Sequence, residues 1–121
     1  MQKVFFSLVI LTVMLFSSAD LLAQKSKKIV QAEFHVDGVC NMCKERIETA
    51  AYDLPGVKWV EWNKHTKLFN IKFKASKVSL DEIHTAIAKV GHNTSKVKSE
   101  EKDYNALPGC CQYQSEDVDT H

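Results

Sequence analysis

The chain has 121 residues, with 16 Lys or Arg against 15 Asp or Glu, a formal charge of +1, and 45% hydrophobic residues. That length holds one small domain with one core rather than two. The lysines are scattered through a balanced background, so no basic stripe of the kind nucleic acid requires is present.

The elements follow in chain order. Residues 1–23 carry Lys3, an apolar run from Val4 to Phe16, then small and polar residues with Leu21, Leu22 and Ala23, which is the layout of a secretory signal peptide. Cleavage is expected after Ala23, with Ala19 the weaker alternative. The run is shorter than the roughly 20 residues that cross a bilayer, so membrane attachment is expected only through an uncleaved form of this segment. The rest is expected to be periplasmic or secreted. No cysteine follows the apolar run, which argues against a lipid anchor.

From Ile29 to Val36 apolar and polar residues alternate, with Val30, Ala32, Phe34 and Val36 on one face, which predicts a half-buried strand. Cys43, Ile47, Ala50, Ala51 and Leu54 recur at helical spacing until Pro55-Gly56 stops the helix. Val57–Asn63 and Leu68–Phe73 read as a hairpin whose second strand presents Phe69, Ile71 and Phe73 inward. Ser79 to Glu82, "SLDE", is a capping box that opens a second helix with Leu80, Ile83, Ile87 and Val90 on its apolar face, ended by Gly91. A weak strand over about Thr94–Lys98 completes the order strand, helix, strand, strand, helix, strand. The expected fold is α+β: a ferredoxin-like βαββαβ sandwich in residues 24–98, with a four-stranded antiparallel sheet and two helices on one face. Residues 99–121 show no periodicity and are expected to be a partly disordered tail, with Tyr104, Leu107 and Tyr113 as its apolar anchors.

Four cysteines, Cys40, Cys43, Cys110 and Cys111, carry the chemistry. The spacing of Cys40 and Cys43 alone allows a bridge, a catalytic redox pair or a metal clamp. As staples the two pairs are poorly placed, because neither closes a long loop. Their position favours ligation. Cys40 falls in the loop after the first strand and Cys43 at the start of the helix, where unpaired N–H groups and the positive end of the helix dipole stabilise a thiolate. Two soft sulfurs without a neighbouring carboxylate suit a thiophilic, low-coordination ion. A closed structural zinc site would need four ligands.

The segments "VDGVCNMCKERIETAAYDLPGV" and "SKVSLDEIHTAIAKVGH", with the element order between them, resemble the heavy-metal-associated domain family over about residues 28–98. That family includes copper chaperones, the metal-binding modules of copper-pumping ATPases and the periplasmic mercury-binding protein. The resemblance puts the family's metal-binding cysteines at Cys40 and Cys43. The chain departs from the pattern at Gly38-Val39-Cys40, one residue shorter and lacking the usual methionine, with Val39 in the place of the loop's core anchor. It also carries over His92, after Gly91, as a candidate third ligand or a hydrogen-bonding neighbour, against a solvent-facing loop histidine. The tail "LPGCCQY" resembles the end of some exported members, making Cys110 and Cys111 candidate ligands, a relay site or a vicinal disulfide. The cargo implied is a soft ion, Cu(I) foremost, with Hg(II) or Zn(II) as alternatives. It would be held by a monomer and passed by thiolate exchange to a metal-transporting membrane protein or another thiol-containing carrier.

Two rival readings stand beside this non-enzymatic one. A thiol–disulfide redox protein fits poorly, since Val39 replaces the aromatic residue expected before the first cysteine and neither Pro55 nor Pro108 precedes a strand opposite the thiols. A disulfide-bonded interaction domain is the other. Met42 between the cysteines is expected to point outward; His35, His65 and His84 are expected at the surface, and one of Trp59 and Trp62 in the core. Lys44, Glu45 and Arg46 read as a solvated helix surface.

Overall fold

The computed structural model describes residues 28–115; the expected signal segment and the last residues of the tail lie outside the described residues. Strand β1 (Ile29–His35) leads to helix α1 (Asn41–Tyr52), then to strands β2 (Val57–Trp62) and β3 (Leu68–Lys74), helix α2 (Leu80–Lys89) and a short helix α3 (Glu101–Asn105). The sheet is antiparallel in the order β1-β3-β2. Phe34 faces Phe69 across β1 and β3, and Trp62 faces Phe69 across β2 and β3, so the period-two patterns of β1 and β3 join the end of β2 in one continuous apolar face. Phe69 and Ile71 are fully buried and Phe73 nearly so, as their alternation predicts.

Helices α1 and α2 contribute Ile47, Ala51, Ile83 and Ile87 to the same core. The capping box at α2 forms as read: the Ser79 hydroxyl accepts from the Glu82 N–H at 3.1 Å, and the Glu82 carboxylate accepts from the Ser79 N–H at 2.7 Å. Trp62 is the core tryptophan and Trp59 is exposed. A bulge between Val57 and Trp59 shifts the register of β2 just before that exposed side chain.

Among the described residues the sheet has three strands, which corrects the expected four. The segment after α2 meets β1 only at an isolated bridge between Val36 and Thr94 and through the Ser95 N–H donating to the His35 carbonyl. The cause is local. The Thr94 hydroxyl accepts from the N–H groups of Lys96 and Val97 while the Thr94 N–H donates to the Val97 carbonyl, so the chain turns instead of extending along β1.

His84 departs from the surface position expected of it. It is buried against Phe34, ring centroids 3.9 Å apart, with Nδ1 2.6 Å from the Thr94 hydroxyl, and burial pulls its pKa down. Lys44 and Arg46 are half-buried rather than simply solvated. The Lys44 ammonium bonds Glu48 at 2.5 Å and the Trp62 carbonyl at 2.7 Å, tying α1 to the end of β2.

Candidate metal centre

The Cys40 loop is shaped by what lies beneath it. Trp62 is fully buried, and its indole N–H donates to the Val36 carbonyl at 3.0 Å. Its ring leaves no room for a side chain at position 38, since a Cβ on Gly38 would lie 2.9 Å from two ring atoms and 3.1 Å from the Cβ of Cys43. Val39 is buried, which suits the anchoring role expected of it. Cys40 then caps α1: its backbone is extended and its sulfur accepts from the Cys43 N–H at 3.4 Å. Cys43 follows in the first turn, fully buried.

The two sulfurs lie 3.2 Å apart as free thiols. Their environments differ. Burial acts to raise the Cys40 pKa, but hydrogen bonds from the Cys43 backbone, from the Cys43 and Cys111 thiols and from the Met42 backbone outweigh it and hold the thiol below its usual value. Cys43 sits deeper, and burial pushes its pKa up. Lys67, in the left-handed region at φ 61°, places its ammonium 5.7 Å from the centroid of the Trp62 ring. Burial lowers the Lys67 pKa, while negative charge on Cys43, Asp37 and Cys40 would act the other way. A thiolate pair here therefore has a cation nearby. Sequence pattern could not have found Lys67, because its approach depends on the hairpin folding over Trp62.

The tail comes to the same place. Residues 109–111 form a single 3-10 turn, and Cys111 is fully buried with its sulfur 3.5 Å from that of Cys40. Burial and the neighbouring thiols push its pKa well above the usual thiol range. Cys110 is exposed, 3.9 Å from the Cys111 sulfur, and its thiol donates to the Met42 thioether at 3.6 Å. The ligand atoms of Cys40, Cys110 and Cys111 all lie within 4.8 Å of one another. Met42 is half exposed, as expected, but its sulfur is part of this rim.

His92 does not take the solvent-facing position expected of a loop histidine. It is fully buried, its Nδ1–H donates to the Asp37 carbonyl at 2.8 Å, and its ring stacks on Tyr113. It is outside the cysteine group, and its Nε2 is buried without a hydrogen-bond partner among the described residues. Burial depresses its pKa to about 4, the Asp37 carbonyl opposing the shift. Among the described residues no helix is long and apolar enough to cross a membrane.

A family model described as "Heavy-metal-associated domain" matches residues 33–93. A copper-transporting ATPase of Helicobacter pylori is 34% identical over 74 residues, which cover 60% of this chain but 10% of the ATPase. The chain thus spans about a tenth of the length of that curated relative. Among solved structures, the CopZ metallochaperone superposes with a TM-score of 0.52 at 26% identity, over 54% of this chain and 98% of that one. Oxidized MerP from Ralstonia metallidurans CH34 superposes with a TM-score of 0.54 at 23% identity, over 56% and 96% of the two chains, a likeness of fold.

Proposed function

The chain belongs to the heavy-metal-associated domain family, and from that premise we propose that it is an exported binding module that takes up a soft metal ion and passes it on. The observation that carries this reading is the pair of free, buried thiols of Cys40 and Cys43, 3.2 Å apart at the N-terminus of α1. Sulfur donors at the positive end of a helix, with no carboxylate in the cysteine group, select a thiophilic ion over Mg, Ca or Mn. Cu(I) is the cargo this reading puts first, supported by the copper-transporting ATPase and the metallochaperone among its relatives. Hg(II) and Zn(II) are the competitors. Delivery goes to a metal-transporting membrane protein or another thiol-bearing carrier by ligand exchange: a sulfur of the acceptor adds to the ion, and a bond to Cys40 or Cys43 breaks. The ion keeps its oxidation state, so no catalytic acid, base or electron carrier is required and the module is not an enzyme.

Anaerobic titration of the reduced protein with Cu(I), Zn(II) and Hg(II) under competition, with native mass spectrometry counting bound ions, tests the reading. One Cu(I) held more tightly than Zn(II) is the expected result. Failure to retain any of the three against a competing thiol would refute it, and turnover in an insulin-reduction assay would favour a redox protein instead.

A further inference from the structure

The segment 107–113 is fastened to the domain by contacts that two-cysteine metal binding does not use. Leu107 is buried against Gly91, so closely that a Cβ there would lie 2.8 Å from two of its carbons. The Tyr113 hydroxyl donates to the Gly91 carbonyl at 2.8 Å and accepts from the Asn93 N–H at 3.0 Å. Its ring stacks on His92, with centroids 5.5 Å apart, and meets Tyr104 edge-on at 5.1 Å. The Tyr113 N–H donates to the Cys111 carbonyl at 2.9 Å, and the Cys111 N–H to the Pro108 carbonyl at 2.8 Å. A chain pinned at both Leu107 and Tyr113 has little freedom to place Cys111 anywhere else, and the Cys43 thiol points at the Cys111 carbonyl, 4.0 Å away.

We infer that Tyr113 is a positioning residue that docks on Gly91 and Asn93 to deliver the Cys111 sulfur as a third ligand to the ion held by Cys40 and Cys43. The inference rests on the metal-binding reading above and extends it to the coordination number and to the control of release. Cys40 is the shared corner, with Cys43 at 3.2 Å and Cys111 at 3.5 Å. Metal–sulfur bonds of about 2.3 Å in a trigonal three-sulfur site set sulfur–sulfur edges of roughly 4.0 Å, so Cys43 and Cys111 must each move away from Cys40 by something on the order of 0.5 to 0.8 Å to close on an ion. Cys110, whose sulfur lies within 4.8 Å of those of Cys40 and Cys111, is exposed beside Met42 at the rim, where it is the sulfur that competes with Cys43 or Cys111 for the ion. Ordering the tail costs conformational entropy, which the tyrosine's two hydrogen bonds and its stacking offset.

Release then follows from the same contacts. An acceptor thiolate adds to the ion and forms a new metal–sulfur bond. The bond to Cys111 breaks with its electron pair left on that sulfur, which takes up the proton lost by the acceptor's thiol. Cu(I) stays Cu(I), and the tail swings out with Cys111 while Cys40 and Cys43 still hold the ion.

The test uses the reduced full chain with one equivalent of Cu(I) under anaerobic conditions, compared with Cys111→Ser, Tyr113→Phe, Cys110→Ser and the Cys40→Ser, Cys43→Ser double variant. X-ray absorption counts sulfur ligands, a chromophoric chelator reports affinity, and circular dichroism checks the fold. Three sulfurs are expected in the parent and in Cys110→Ser, and two in Cys111→Ser. Tyr113→Phe keeps the ring and Cys111 but loses the docking bonds; its mean sulfur count should fall below three and its affinity by roughly 10-fold or more, as for other outer-shell partners of metal ligands. A merely structural tyrosine would not move the sulfur count. Equal counts and affinities in the parent, Cys111→Ser and Tyr113→Phe overturn the inference while leaving the two-cysteine site standing. Loss of the third sulfur in Cys110→Ser but not in Cys111→Ser also overturns it. A parent that does not bind Cu(I), or a double variant that binds it as tightly, removes the metal-binding reading and this inference with it.

Discussion

Cys40 and Cys43 stand at the start of the 12-residue helix α1, whose inner face carries Ile47 and Ala51 into the core, whereas Cys110 and Cys111 stand on a single turn after the five-residue α3, which buries no residue of its own. The first pair is positioned by the whole sheet through Trp62 and Gly38. The second is positioned by a few anchors, Leu107 and Tyr113 above all. Segments with few buried apolar contacts open at much lower free-energy cost than the core. Four thiols in one neighbourhood therefore differ in their support, one pair resting on the sheet and helix α1 and the other on a few anchors of the tail. On the carrier role proposed above, that difference would separate holding from releasing.

The comparison breaks most completely if the core-mounted pair is dispensable. The Cys40→Ser, Cys43→Ser double variant should lose Cu(I) binding by more than the 10–100-fold typical of outer-shell partners, and its circular dichroism should remain that of a folded domain. Retained affinity, measured by competition, would mean that the tail sulfurs dominate and that the two regions have been ranked the wrong way round.

Trp62→Ala probes the support under the first pair. Truncating a fully buried tryptophan that also donates to Val36 should cost about 3–5 kcal/mol and widen the Cys40 loop. Urea denaturation of the reduced, metal-free protein measures it. A loss under about 1 kcal/mol, the size of an ordinary substitution, would show that the loop does not depend on the core as described.

His92 lies at the joint between the two regions, buried beside Tyr113 with its pKa depressed to about 4 from an ordinary 6.5. Below pH 6.5 the unfolded chain takes up a proton that the folded protein refuses, so stability is full above that pH and falls as pH drops towards 4. The loss attributable to this residue approaches about 3 kcal/mol at the acid end. His92→Asn keeps a donor for the Asp37 carbonyl and cannot titrate, so stability measured from pH 7 to pH 4.5 should decline less steeply in that variant. The buried His84, whose pKa is also lowered, leaves part of the slope in place. Identical slopes in the two proteins would count against the buried, neutral state of His92.

Gly91→Ala sharpens the comparison at lowest cost to the core. Gly91 has φ of 100°, and a methyl group would lie 2.8 Å from the Asp103 carbonyl oxygen and from Leu107. The strain should cost about 1–3 kcal/mol, relieved mainly by lifting the tail. Hydrogen exchange is therefore expected to speed up over residues 101–113 and to stay unchanged in β1 and β3. Uniform acceleration through the sheet would show that tail and core form one cooperative unit.

The sequence by itself determined the family, the α+β arrangement and the position of the first cysteine pair at the start of α1. All three rest on local signals: alternation in β1 and β3, helical spacing from Cys43 to Ala51, and the capping box at Ser79. Such patterns survive translation into structure because each is set by backbone geometry over a few residues. The expected fourth strand does not form because the Thr94 hydroxyl takes the N–H groups of Lys96 and Val97 while the Thr94 N–H turns to the Val97 carbonyl, an outcome that Thr94 to Val97 do not advertise in their hydrophobicity. Only the tertiary structure decided that His84 and His92 are buried, that Lys67 reaches over Trp62, and that Cys111 returns to within 3.5 Å of Cys40. These are contacts between segments far apart along the chain. Their partners, Gly91, Asn93 and Phe34, are brought within reach by the packing of the whole domain, so the physical cause lies in chain closure and exclusion of water rather than in any stretch of residues read alone.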